Sequence, residues 1–183
     1  MNRARRILLF ANAIANGSTA LLGPIYAIYV EKIGGGILEV AGSYTVYCLA
    51  YGILMLVFGR WEDKFKETEY FLAAGVIISA IGFAGYLTAS NILHLVIIQG
   101  ILGVAFALMT PAQDALYTKH LDRGKFGTEW GTWEAVFWIT EGVGAFLGGM
   151  IANFVGFQAL FMVMMSISFL TGLYILFLPR KIL

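Results

Sequence analysis

Thiols are almost missing from this sequence. Cys48 is the single cysteine among 183 residues, and it lies inside an apolar run. A disulfide framework and a cysteine-cluster metal site are both excluded. Charge is scarce as well: 13% of residues are Asp, Glu, Lys or Arg, whereas a soluble domain carries about 25%. The only histidines, His94 and His120, fall at opposite ends of the apolar runs and cannot share a site in one chain. No nucleotide-binding loop and no nucleic-acid-binding feature occurs. Catalytic residues, cofactors and metals are not expected, and neither is a nucleic-acid partner.

What the chain has in excess is hydrocarbon. Hydrophobic residues make up 60% of it, far more than one ordinary core of this size needs, so its natural solvent is lipid. A membrane helix takes roughly 20 mainly apolar residues. Six such runs are present, at about 7–30, 37–58, 70–89, 92–117, 129–153 and 157–178. Gly34-Gly35-Gly36, Ser90-Asn91 and Gly156 mark three of the breaks; the charged segments 59–69 and 119–129 mark the other two. The sequence therefore predicts an all-α membrane protein, one domain over 1–183 with six transmembrane helices. The first run follows a basic start, but it is too long and too polar along one face for a cleaved signal peptide.

Lys and Arg set the orientation. With the N-terminus inside, the inner segments hold Arg3, Arg5, Arg6, Arg60, Lys64, Lys66, Lys119, Arg123, Lys125, Arg180 and Lys181, and the outer loops hold Lys32 alone. Both termini are expected in the cytoplasm, with the chain in the plasma membrane. The stretch FGRWEDKFKETEY, residues 58–70, has seven charged residues of thirteen and becomes an inner loop.

Polar residues inside the runs fall in stripes. Asn12, Asn16, Thr19, Gly23 and Tyr26 step by fours and threes, which keeps one helix face. Gln99, Gly103, Phe106, Thr110, Gln113 and Tyr117 repeat that rhythm in the fourth run, and Tyr44, Tyr47 and Tyr51 share a face in the second. A shift of 87 residues carries Asn12 onto Gln99, Gly23 onto Thr110, Pro24 onto Pro111 and Tyr26 onto Gln113. The first run would point outward and the fourth inward, so the two halves form an inverted three-helix repeat. Such stripes either glue helices together or line a wet cavity. Two matched stripes favour the cavity, with Asn12, Asn16, Thr19, Tyr26, Tyr47, Tyr51, Gln99, Thr110 and Gln113 as candidate solute contacts. The third and sixth runs carry only scattered small polar residues and are expected at the periphery.

The fifth run holds two carboxylates, Glu134 and Glu141, on one face. Glu141 lies near mid-span, where a charge costs a few kcal/mol or more. No basic residue lies deep in any run to pair with it, so it is a candidate proton-coupling group, or else a neutral carboxyl bonded across a helix interface. Glu134 is nearer the inner surface. Gly144-x-x-x-Gly148 permits close helix approach.

On these motifs the chain resembles one half of a major facilitator superfamily transporter. Gly59-Arg-Trp-Glu-Asp63-Lys64-Phe-Lys66 is similar to the family's cytoplasmic motif, without its second Gly. Gln99-Gly100-Ile-Leu-Gly103 is similar to the fourth-helix motif, with Val96 where an Arg usually stands. Gly144-Ala145-x-x-Gly148-Gly149 is similar to the fifth-helix signature, with Ala for Pro. The resemblance implies no enzyme. It implies two inverted three-helix repeats, helices one and four lining a cavity, two and five meeting another half, and solute movement by alternating access. The family has twelve helices, so the chain is a fragment or a half-size protein. Two copies with this topology would form a parallel homodimer in membrane lipid around a small-molecule solute. The resemblance also implies a gate at Gly59, Asp63, Lys64 and Lys66. Asp63 would cap residues 126–131 of a second chain, and Lys64 or Lys66 would pair with Asp114 or Asp122. The alternative is a non-transporting assembly or sensor module.

Overall fold

The structure, a computed structural model, describes residues 3–65 and 67–178. All regular elements among them are helical. The first span is built from α1 (Arg3–Ala20), a single 3-10 turn (Gly23–Ile25) and α2 (Tyr26–Lys32). The other spans are α3 (Ile37–Glu62), α4 (Thr68–Tyr86), α5 (Ile92–Thr118), α6 (Phe126–Phe154) and α7 (Phe157–Leu176). Among the described residues, six helices are long and apolar enough to cross a membrane.

Local chemistry explains the breaks. Pro24 has no N–H and sits at the start of the 3-10 turn, which divides α1 from α2. Pro111 lies inside α5, and that helix continues through it. The two prolines matched by the 87-residue shift thus act differently. Gly156 adopts a φ of 107°, open to glycine, and this one residue turns α6 into α7. The Asn91 side chain caps α5 by accepting the His94 N–H at 3.0 Å.

The helices pack in the order α3, α5, α4, α7, α1, α6, and α1 also touches α5 across the bundle. Exchanging the first three spans for the last three returns this order reversed. Two apolar clusters fill the bundle. One gathers Leu8, Leu72, Val76, Met109, Leu116 and Trp133 toward the end that carries both termini. The other gathers Leu22, Val30, Phe83, Leu95, Leu102 and Phe161 toward the opposite end.

Coverage is uneven. In the most apolar 18 residues of α3 only 6% of positions are buried, and in α6 only 11%, against 50% in the first span, α4 and α5. The third span still exposes a face, with Ile81 58% exposed. One face of α4 is closed by α5 and α7. The helices left open are the second and the fifth spans.

Each open helix meets its main neighbour through glycine. A Cβ at Gly103 of α5 would lie 2.7 Å from the Ala50 Cβ and 2.8 Å from the Tyr47 carbonyl of α3. A Cβ at Gly148 of α6 would run into the Leu21 backbone, and one at Gly144 would lie 2.6 Å from the Ala20 Cβ. The Gly144-x-x-x-Gly148 pair thus seats α6 on α1 at backbone distance.

Candidate functional site

The face between α3 and α6 opens onto α1 and α5. A cavity of about 440 Å³ lies there, lined by Asn12, Asn16 and Thr19 of α1, Tyr47 and Tyr51 of α3, Thr110, Gln113 and Asp114 of α5, and Glu134 and Glu141 of α6. A second cavity of about 230 Å³ shares Thr19, Tyr44, Tyr47, Phe106 and Glu141 with it, and adds Tyr26 and Gln99. The two stripes and both glutamates, far apart in sequence, thus meet around one continuous cleft. Tyr44 of the second run's stripe lines it too, and so do three aromatic residues outside the stripes: Trp133, Phe137 and Trp138. Their clue was their position beside the two glutamates.

The polar groups are partly bonded to one another. Gln113 Nε2 donates to Asn12 Oδ1 at 2.7 Å, joining the two central helices. Asn16 Nδ2 donates to the Asn12 carbonyl at 3.0 Å and also to Asn12 Oδ1. Asn12 is 1% exposed, and its own Nδ2 has no partner. Thr19 Oγ1 has none either. Tyr51 donates to Thr110 Oγ1 at 2.9 Å, bridging α3 and α5. The Ser43 hydroxyl gives its proton to the Glu39 carbonyl at 2.6 Å, so Tyr26, at 2.7 Å, is the donor to Ser43. Buried polar atoms are normally paired, so the two orphans mark places open to a ligand or water.

The carboxylates differ in setting. Glu141 is half-buried, and a Cβ added at Gly23 would lie 3.4 Å from its Oε1. Glu134 is exposed and Asp114 intermediate. Asp114 thus faces the cavity, not only the inner loop where the gate reading put it. Among the described residues, no Lys, Arg or His lines either cavity, and none pairs with these three groups.

The end that carries the termini holds a charge cluster that the sequence did not single out. Buried Arg5 pairs with Asp122 at 3.0 Å and with Glu129. Glu129 also accepts the Asp122 N–H at 3.0 Å, and Tyr117 donates to the Glu129 carbonyl at 2.7 Å. This ties the start of α1 to the α5–α6 turn. Hydrogen bonding to Arg5 holds the Asp122 carboxyl below its ordinary range. Asp122 is therefore engaged by Arg5, and Lys64 forms no ion pair among the described residues. Lys66 lies outside the described residues. Gly59 packs toward Pro111, with a Cβ there 4.0 Å from the proline's own. Asp63 ends α3 and is exposed, while its neighbour Glu62 is buried with Oε1 unpartnered.

A six-helix membrane bundle with a polar cleft on its open face defines the class: a polytopic helical membrane protein built around a solute-sized cavity. The model of the Major Facilitator Superfamily matches residues 8–182, and the chain belongs to that family. It is similar to the multi-drug resistance efflux pump PmrA of Streptococcus pneumoniae, 27% identical over 172 residues, which cover 92% of this chain and 43% of the pump. It is similar to the tetracenomycin C resistance and export protein of Streptomyces glaucescens, 28% identical over 179 residues, 92% of this chain and 32% of that protein. A third relative, the uncharacterized MFS-type transporter YitZ of Bacillus subtilis, is 26% identical over 163 residues, 85% of this chain and 94% of that protein. The chain thus spans less than half of the efflux pump and nearly all of the Bacillus subtilis protein.

Proposed function

We propose that this chain is half of a secondary transporter that moves a small solute across the plasma membrane by alternating access. A second copy supplies the other half in a parallel homodimer. The observation that carries this reading is the cleft itself: both polar stripes line one cavity, and the two helices flanking it are the barely covered ones. Lipid can cover the apolar helix faces, but a polar cavity that opens between them needs a cover other than lipid. The length of the Bacillus subtilis relative supports a half-size unit. The greater length of the efflux pump supports a second reading, in which the same bundle is one half of a longer chain.

In this reading the bundle is an inverted repeat with both termini cytoplasmic. The reversible packing order supports the repeat, and the eleven-to-one distribution of Lys and Arg supports the orientation. Asn12, Asn16, Thr19, Tyr26, Tyr47, Tyr51, Gln99, Thr110 and Gln113 contact the solute. Glu141, with Glu134 nearer the rim, takes up and releases the coupling proton. Gly59, Asp63, Lys64 and Lys66 form the inner gate against residues 126–131 of the partner, with Asp114 behind it. An acidic group at a helix N-terminus is favoured by its free N–H groups, by about 0.3–1 kcal/mol. Flux into liposomes, with and without a pH gradient, tests the proposal. Solute movement that follows the gradient supports it. A sealed vesicle that passes nothing, with correctly folded protein, returns the chain to the assembly or sensor reading.

A further inference from the structure

We propose that the cleft takes a hydrophobic organic cation. This deepens the transport reading and rests on the same cavity. Three carboxylates line the cavity, Asp114, Glu134 and Glu141, and among the described residues no cation pairs with any of them. A carboxylate in a membrane-spanning helix is costly unless it is protonated, hydrated or paired. A positive charge brought by the solute meets that need, and an anion meets only repulsion.

Rings complete the chemistry. Tyr44, Tyr47 and Tyr51 form a ladder on the α3 wall, with successive centroids 5.8 Å apart. Phe106 closes its floor, edge-on to Tyr47 at 5.9 Å. On the α6 wall Phe137 and Trp138 stand 5.2 Å apart beside the two glutamates. A cation within about 6 Å of a ring face is attracted by its quadrupole, most strongly when both are out of water. A volume near 440 Å³ is within the range of sites for compact organic ligands. The buried Asn12 lines the same cavity with its Nδ2 unpartnered, a donor available to an acceptor atom of the solute rather than to its charge.

Two probes of one shape and opposite charge separate charge recognition from greasiness: tetraphenylphosphonium and tetraphenylborate. Their binding to the purified full chain in non-ionic detergent is measured by calorimetry. Each probe is compared between wild type and variant, which cancels its partitioning into the micelle. Glu141→Gln is expected to raise the Kd of tetraphenylphosphonium by about fivefold to tenfold, and to leave or lower that of tetraphenylborate. If Glu141→Gln does not fold, Glu134→Gln at the exposed rim carries the same test. Equal changes for both probes, or no change for the cation in either variant, overturn the inference. Cation binding in a protein that moves no solute leaves it standing and removes transport. Flux of neutral solutes with no cation binding does the reverse.

Discussion

The two sides of the bundle are both apolar, yet only one is closed. On the closed side α4 lies between α5 and α7, and a Cβ at Gly75 would sit 2.6 Å from the Ala105 carbonyl. On the open side only 6% of the most apolar stretch of α3 and 11% of that of α6 is buried, against 50% for α4. Hydrophobicity does not separate the two sides, because lipid and protein accept the same side chains. Glycine placement and polar groups do separate them. Glycines that touch backbone mark the closed contacts, and the carboxylates, tyrosines and amides mark the open cleft.

The largest effect is expected where this contrast is sharpest. Gly75→Leu forces a side chain into the α5 backbone and should cost about 3 kcal/mol or more, enough to deplete folded protein in a detergent melt. Gly52→Leu and Gly142→Leu add the same side chain on the open helices, where a Cβ meets nothing within 4 Å. They should leave the melting of the single chain nearly unchanged but reduce its crosslinking to a second copy. Unfolding by all three substitutions would dissolve the distinction.

Glu141→Gln probes the open side by function. Under the proton-coupling reading it abolishes pH-gradient-driven uptake while leaving the fold intact, since the amide is nearly isosteric; unchanged gradient dependence would remove Glu141 from that role. A smaller effect is expected from Tyr51→Phe, which deletes the bond to Thr110 that links α3 to α5. The loss should be about 1 kcal/mol of stability, read from chemical unfolding in mild detergent.

The smallest effect belongs to the charge cluster at the end that carries the termini. Asp122 titrates below its ordinary value because Arg5 bonds its ionised form. Its contribution is therefore present above the unfolded-state pKa and is lost as pH falls below about 4. Asp122→Asn should lower stability slightly at neutral pH and flatten the decline in acid. A variant as acid-sensitive as the wild type would mean that the pair contributes nothing measurable.

Much of this was legible in the sequence. Six apolar runs yield six helices, and the four-three steps of Asn12, Asn16 and Thr19 converge on the cavity with those of Thr110 and Gln113. Periodicity shows which residues share a face, and membrane helices obey it because their backbone bonds are all internal. What periodicity cannot show is which face meets which helix. In the third span Ser79 and Gly82 are buried against a neighbour, which their scattered placement did not show. The Arg5–Asp122–Glu129 cluster was hidden because Arg5 lies more than 110 residues from the other two, and Asp122 was assigned instead to the nearer-seeming Lys64 or Lys66. Trp133 was passed over because Trp is also ordinary lipid-facing material.

The mass of the transporting species tests the central proposal most directly. Native mass spectrometry on protein taken from transport-active proteoliposomes should give a particle of twice the 20.0 kDa chain mass, plus any retained lipid. Two facing copies predict that doubled mass, and its loss in the open-face leucine variants together with flux. A 20.0 kDa particle that still transports would contradict the facing-copy cavity.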